Sequence, residues 1–375
     1  MGIAIKPDFE GPMLTTDKLA TPLSLARGPA MKNRFMLAPL TNTQSHEDGR
    51  LSDDEFRWLT MRAEGGFGLT MTCAAHVQAG GQGFPGQLGI WDDRHLEGLT
   101  RLAAEINRQG SVSSVQLHHA GIRSPKEIVK DVVGPSDDSE TGARALTDAE
   151  VEAARDAFIA AAKRAEKAGF HGVEVHGAHG YLLAQFLSPE VNRRGGRYGG
   201  SLENRARLTF EVVDGIRAAC GPDFQLGIRL SPERFGLKLA EIRDVAAELL
   251  TQAKIDYLDM SLWDVKKEPV EEEFHGRSLM SVFTELKRGN VRLGAAGKIM
   301  GAQDAAEVIE AGYDFAVIGR AAILRHDFPR RVLADPAYVS PSLPVTERHL
   351  RDEGLGSAFV TYMRAWKGFV TEEAA

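Results

Sequence analysis

Cysteine is scarce in this chain. Cys73 and Cys220 are its two thiols, both in apolar stretches, too few for a disulfide scaffold or for the four thiolates of an iron–sulfur cluster. A reducing, cytoplasmic setting is the expectation. No run of about 18 apolar residues occurs, so no membrane-spanning helix is predicted. Met1 to Leu14 has no signal-peptide core, and Lys6 stands where a myristoylation motif has Ser or Thr. Charge of one sign is not in excess either. The 45 Lys+Arg against 52 Asp+Glu leave a net charge of −7, which argues against a nucleic-acid surface. Low-complexity tracts and helical repeats of fixed sequence are missing. At 375 residues, 43% apolar and 26% charged, the chain has an ordinary globular composition. Its length suits two domains or one α/β barrel.

What is present is a period. Eight short, apolar, β-rich runs recur: Phe35–Pro39, Gly68–Ala75, Val112–His119, Gly172–Gly177, Phe224–Leu230, Asp256–Leu262, Val291–Gly297 and Phe315–Gly319. Such continuous apolar runs suit strands buried on both faces of a parallel sheet. Helical periodicity fills most gaps, near 92–109, 147–168, 201–220, 240–253, 279–288 and 303–311. The clearest helix has a T-x-x-E capping box at Thr147 and Glu150, apolar positions at 3.6-residue spacing, and a terminating Gly169. Strand–helix alternation predicts a single α/β domain over residues 1–375, a (β/α)8 TIM barrel, with an open doubly wound sheet as the rival. Residues 121–146 read as a loop insertion after strand three. Residues 1–32 and about 330–375 read as segments packed on the barrel, the latter a C-terminal helical extension. Gly81-Gln82-Gly83-Phe84-Pro85-Gly86 matches the dinucleotide pattern, but no helix start follows it, so a Rossmann site is not predicted.

Barrel enzymes place their chemistry at the C-terminal strand ends. Those ends carry Pro39-Leu40-Thr41, Gln116-Leu117-His118-His119, His176 through Tyr181, Arg229, Gly297-Lys298 and Gly319-Arg320. The last two pairs suit a phosphate, glycines letting backbone N–H groups approach and Lys298 and Arg320 adding charge; a surface turn capped by Arg320 is the alternative. Arg229 suits either an anionic ligand or an ion pair within the sheet. His176 and His179 suit a satisfied core or two metal ligands, but no third ligand can be nominated, so no metal is predicted.

These residues are similar to those of the old yellow enzyme family of FMN-dependent oxidoreductases, over about residues 33–324. The resemblance rests on Ala38-Pro39-Leu40-Thr41, Val115-Gln116-Leu117, His176-Gly177-Ala178-His179-Gly180-Tyr181, Phe186-Leu187-Ser188-Pro189, Asn192-Arg193-Arg194 and Tyr198-Gly199-Gly200-Ser201-Leu202-Glu203-Asn204-Arg205. It implies one FMN at the barrel mouth. Pro39 would be among the cofactor-binding residues, Thr41 would bond its O4 edge, and Gln116 would hold the pyrimidine edge. Ala74 would lie against the ring, Arg229 beside N1, and Gly297, Lys298, Gly319 and Arg320 around the phosphate. The resemblance also implies hydride transfer from a diffusible NADH or NADPH through flavin N5 to an electron-poor alkene, in ping-pong fashion. His176 and His179 would bind the substrate carbonyl, Tyr181 would protonate the α-carbon, and His118 would form a substrate-facing wall.

Thr41 replaces the cysteine of one bacterial subgroup, so thiol-based tuning of the flavin is not expected. His118 stands where relatives often carry a bulky aromatic or a small residue, which leaves the acceptor open. Other redox substrates (demethylation, dehydrogenation, nitro or quinone reduction), shaped by His118 and the Trp263–His275 loop, form the second reading, and a metal-dependent barrel lyase or hydrolase the third. The partner is a small molecule, not nucleic acid or membrane. A homo-oligomer is compatible with the sequence.

Overall fold

The computed structural model describes residues 17–371; the Met1–Leu14 stretch and the outer ends of both packed segments lie outside the described residues. Eight parallel strands close into a barrel. They are β1 (Phe35–Leu37), β2 (Leu69–His76), β3 (Val112–His118), β4 (Gly172–Gly177), β5 (Gln225–Leu230), β6 (Tyr257–Ser261), β7 (Arg292–Ala296) and β8 (Phe315–Ile318). Helices Asp53–Glu64, Leu96–Arg108, Asp148–Lys167, Leu202–Ala219, Leu239–Gln252, Leu279–Thr284 and Ala302–Glu310 cross between them. This is the (β/α)8 barrel predicted, not the open sheet.

Local chemistry explains the boundaries. Thr147 and Glu150 form the reciprocal capping box, and Gly169 takes φ +89° after the helix. Strand β1 ends before Pro39, which has no N–H to donate; Ala38 still donates to the Ile318 carbonyl at 3.0 Å. The helix expected over 279–288 stops at Thr284, where Leu286 turns back to bond Phe283 at 3.2 Å. Residues 121–146 leave the barrel as an excursion with a parallel pair of two-residue strands, Val133–Gly134 and Arg144–Ala145. No helix among the described residues is long and apolar enough to cross a membrane.

Alternation divides the strands' side chains. Val115, Leu117, Val173, Val175, Leu226, Ile228, Leu258 and Leu293 join the large buried cluster that includes the helices. Met36, Leu69, Met71, Val112, Tyr257, Phe315 and Val317 form a second cluster in the lumen, to which Leu23, Leu25 and Met31 of the N-terminal segment belong. The lumen is therefore filled at its lower end. Glycines make room for its rings: a Cβ on Gly227 would meet Tyr257 Cζ at 2.0 Å, and one on Gly294 would meet Phe315 Cε2 at 2.2 Å.

The C-terminal segment is clamped by Glu353, which receives Arg325 Nη1 and the His326 backbone N–H, both at 2.7 Å, and pairs with His326 Nδ1 at 2.6 Å. Burial pushes this carboxyl up, but the hydrogen bonds from His326 and Arg325 outweigh it and hold the group at about 2. Its stabilisation is then present above its ordinary value of 4.5 and lost as pH falls toward about 2. Glu353→Gln is expected to destabilise the protein by about 2 kcal/mol at neutral pH. Thermal unfolding of both proteins across acid pH checks this, since the difference must vanish as the pH falls.

Candidate active site

Backbone strain marks the site. Of the seven described non-glycine residues with positive φ, six lie on loops after strand C-termini: Thr43, His179, Arg234, Phe235, Trp263 and Lys298. Such conformations cost about 1–3 kcal/mol each and persist where surrounding structure imposes them. Within this ring opens a cavity of about 350 Å³, lined in part by Pro39, His179, Arg229, Gly297, Lys298, Gly319 and Arg320. Leu40 of the strand-end run and Trp263, which opens the 263–275 loop expected to shape the substrate, line it as well, together with Ser261, Met300 and Trp366, which sequence reasoning did not single out.

The histidines adjoin the cavity. The Ala178 N–H donates to His176 Nδ1 at 3.3 Å, so His176 carries its proton on Nε2. That atom lies 3.3 Å from His179 Nδ1, and His179 Nε2 lies 2.7 Å from Ser261 Oγ. Ser261 Oγ in turn receives Arg229 Nη2 at 3.4 Å. Burial, reinforced by His179 and Arg229, depresses His176 well below 6.5. Burial, then Arg229 and Arg123, does the same to His179. Both rings are neutral at pH 7.

Tyr181 stands edge-on to His176, centroids 5.1 Å apart, and to His118 at 4.4 Å. The Arg123 guanidinium sits 4.7 Å over the Tyr181 ring. Burial raises the phenol despite Arg123, so it stays protonated. His118 is fixed by the loop of the Gly-rich decoy. Gly83 N–H donates to Gln87 Oε1 at 2.6 Å, which leaves the Gln87 amide nitrogen to donate to Ala74 O at 2.8 Å and His118 Nδ1 at 3.0 Å. His118 therefore carries its proton on Nε2, and burial, then His176 and His119, keeps the ring neutral.

The remaining expected residues fall around the same mouth. Ala74 is in register with Gln116 across β2 and β3, and Gln116 Nε2 donates to Glu174 Oε1 at 2.8 Å. Thr41 follows Leu40 of the cavity wall, and Asn42 beyond it is anchored on buried Glu55 at 3.0 Å. Arg229 takes up the ion-pair alternative, its Nε 3.0 Å from Asp259 Oδ2, while also lining the cavity. Lys298 Nζ lies 2.7 Å from Asp264, so its charge is already matched. Arg320 has no carboxylate partner among the described residues.

This donor set fits a flat ligand with an anionic tail. A cation and two glycines stand at the β7 and β8 ends, and a Cβ on Gly319 would project toward Leu40, 3.7 Å away. Amide and guanidinium donors lie across the mouth on β3 and β5, where a polar ring edge would be met.

Comparison with known proteins agrees. Residues 18–336 match the NADH:flavin oxidoreductase / NADH oxidase family. A probable NADH-dependent flavin oxidoreductase of Bacillus subtilis (strain 168), YqiG, is 40% identical over 314 residues, 80% of this chain and 84% of its own. An NADPH dehydrogenase of Bacillus licheniformis is 33% identical over 361 residues, 94% of this chain and 100% of its own. The solved old yellow enzyme homologue of Zymomonas mobilis superposes with a TM-score of 0.78 at 26% identity, covering 90% and 99% of the two chains. Morphinone reductase in complex with tetrahydroNAD gives 0.75 at 28%, covering 88% and 93%. The metal-dependent alternative falls away, and the chain belongs to the NADH:flavin oxidoreductase / NADH oxidase family, the FMN-binding old yellow enzymes that use NADH or NADPH.

Proposed function

We propose that this protein reduces electron-poor alkenes, α,β-unsaturated carbonyl compounds above all, in two half-reactions at one mouth. The observation that carries the reading is the neutral His176–His179 pair, with protonated Tyr181 beside it, at the cavity that Arg229 also lines. FMN, when bound, supplies the centre that accepts hydride from NADH or NADPH and passes it to the acceptor. Arg320 and the backbone N–H groups around Gly297, Lys298 and Gly319 hold its phosphate. Gln116 and Arg229 hold the pyrimidine edge, Thr41 bonds the O4 edge, and Pro39 and Ala74 lie against the ring. His176 and His179 donate to the acceptor's carbonyl oxygen and so stabilise the charge that develops there. Tyr181 gives its proton to the α-carbon.

A second reading keeps the cofactor and changes the acceptor to a nitro compound, a quinone, or a substrate of demethylation or dehydrogenation. His118 favours it, because a neutral N–H donor replaces an apolar wall. One experiment separates the two. NADPH or NADH is expected to bleach the flavin anaerobically, and cyclohexenone or a maleimide to restore the yellow. Bleaching with no reoxidation by any activated alkene would overturn the first reading in favour of the second.

A further inference from the structure

Beneath the mouth the lumen is polar on one side, and its charges do not balance. Glu174 on β4, Arg229 on β5 and Asp259 on β6 are all buried, and Arg229 is in register with both His176 and Asp259. Although Arg229 and Asp259 form an ion pair, their atoms are not aligned for a hydrogen bond. Arg229 Nε reaches Asp259 Oδ2 only as an ion pair at 3.0 Å, Asp259 Oδ1 has no hydrogen-bond partner among the described residues, and Glu174 Oε2, the Tyr257 hydroxyl and the Ser114 hydroxyl adjoin one another without good hydrogen-bond geometry. Buried polar groups are normally well satisfied in folded proteins, and this cluster is only loosely so.

Charge counting accounts for the cluster. It holds one guanidinium and two carboxyl groups; Tyr257 on β6 and Tyr313, just before β8, are neutral phenols against them, His176 and His179 are neutral imidazoles against Arg229, and β3 contributes uncharged Gln116 and Ser114. With both carboxyls ionised, one buried negative charge would have no counter-ion, which costs several kcal/mol. Burial raises both carboxyls above the ordinary range; Asp259 raises Glu174 further, and Arg229 works against both. One proton held between the two is the favourable state.

We propose that Glu174 and Asp259 form a proton-binding site under the flavin, which takes up a proton when negative charge arrives beside Arg229 and releases it when that charge leaves. The idea rests on the placement of the ring against Arg229 in the function proposed above. In the first half-reaction the nicotinamide C4 is oxidised, giving up two electrons and one proton as hydride, and leaves as the cationic NAD(P)+. The charge beside Arg229 becomes more negative by one. Hydronium from solvent supplies the compensating proton: one carboxylate oxygen gains an O–H bond and water is left behind. Transfer of hydride to the acceptor removes the charge, and the carboxyl returns its proton to water.

The test is proton uptake by the holoenzyme on anaerobic reduction with NADPH, followed with a pH-indicator dye in weakly buffered solution. The wild type is expected to take up a fraction of a proton per flavin, rising toward about one somewhere between about pH 6 and pH 9. Glu174→Gln and Asp259→Asn should each lose a large part of it, and the double variant all of it. No uptake by the wild type, or undiminished uptake by the double variant, overturns the proposal. The wild type alone supplies a second readout that needs no variant to fold. Its reduced-minus-oxidised infrared difference spectrum should gain a protonated-carboxyl C=O band, and a spectrum without one overturns the site. Arg229→Ala tests the underlying placement: FMN bound with unshifted absorption and unchanged uptake would show that the ring is not beside Arg229. A shifted spectrum there, with full uptake in the double variant, would sink the proton site and spare the placement.

Discussion

Replacing Tyr181 by Phe is expected to slow alkene reduction by about 10²- to 10⁴-fold, the usual worth of a positioned proton donor. Reduction of the flavin by NADPH or NADH should stay within about twofold, because that half-reaction asks nothing of an acid. The substitution is a clean one. Phe keeps the ring that stands 4.4 Å from His118 and 5.1 Å from His176 and removes only the hydroxyl. Burial raises the phenol above its ordinary value of 10.0, so at neutral pH the wild-type group carries the proton it is to donate. Stopped-flow absorbance resolves the two half-reactions. An equal loss in both would mean that Tyr181 merely packs over the site.

The barrel was legible in the sequence because parallel strands buried on both faces leave unmistakable apolar runs, and because caps such as Thr147–Glu150 are local. The mouth was legible for a related reason. Burying polar side chains at the ends of apolar strands is costly unless something there bonds them, so Gln116, His176 and Arg229 stand out against the strands that carry them. Pairings across the barrel were not legible. Nothing near Arg229 in the chain announces Asp259, thirty residues away and one strand over. Ser261 is an ordinary serine until the fold brings it to His179. Trp366 enters the cavity wall from the C-terminal segment with no periodic signal, and Gln87 reaches His118 from a loop whose glycines resemble another motif altogether. Lys298 and Arg320 are equivalent as sequence, and only the fold sets Asp264 against the lysine. Local chemistry is written in order along the chain, and partnerships between strands are not.

The second large effect is expected at His176, and it follows from how protons are distributed along a chain of donors. Backbone donation from Ala178 leaves His176 with its proton on Nε2. Arg229, which can only donate, reaches Ser261 Oγ at 3.4 Å. With His176 Nε2 the donor, the 3.3 Å hydrogen bond between the rings makes His179 Nδ1 the acceptor, so the His179 proton sits on Nε2 and points to Ser261 Oγ, 2.7 Å away. The His176 N–H is thus held by His179 until an acceptor arrives. An oxygen acceptor takes over the His176 Nε2–H, and the other His179 tautomer, with Ser261 Oγ donating to Nε2, offers it a second N–H from Nδ1. Since burial keeps both rings neutral, the affinity for a phenolate, which imitates the charge formed on the substrate carbonyl, should show no imidazole titration near neutral pH. His176→Ala should weaken that affinity and slow alkene turnover by about 10²- to 10³-fold, the cost of one oxyanion donor. Ser261→Ala should cost about tenfold, since it removes the hydroxyl that supports the His179 tautomer donating to the bound acceptor. Absorbance titration with a substituted phenol measures both, and an unchanged affinity in His176→Ala would take the imidazole pair out of the site.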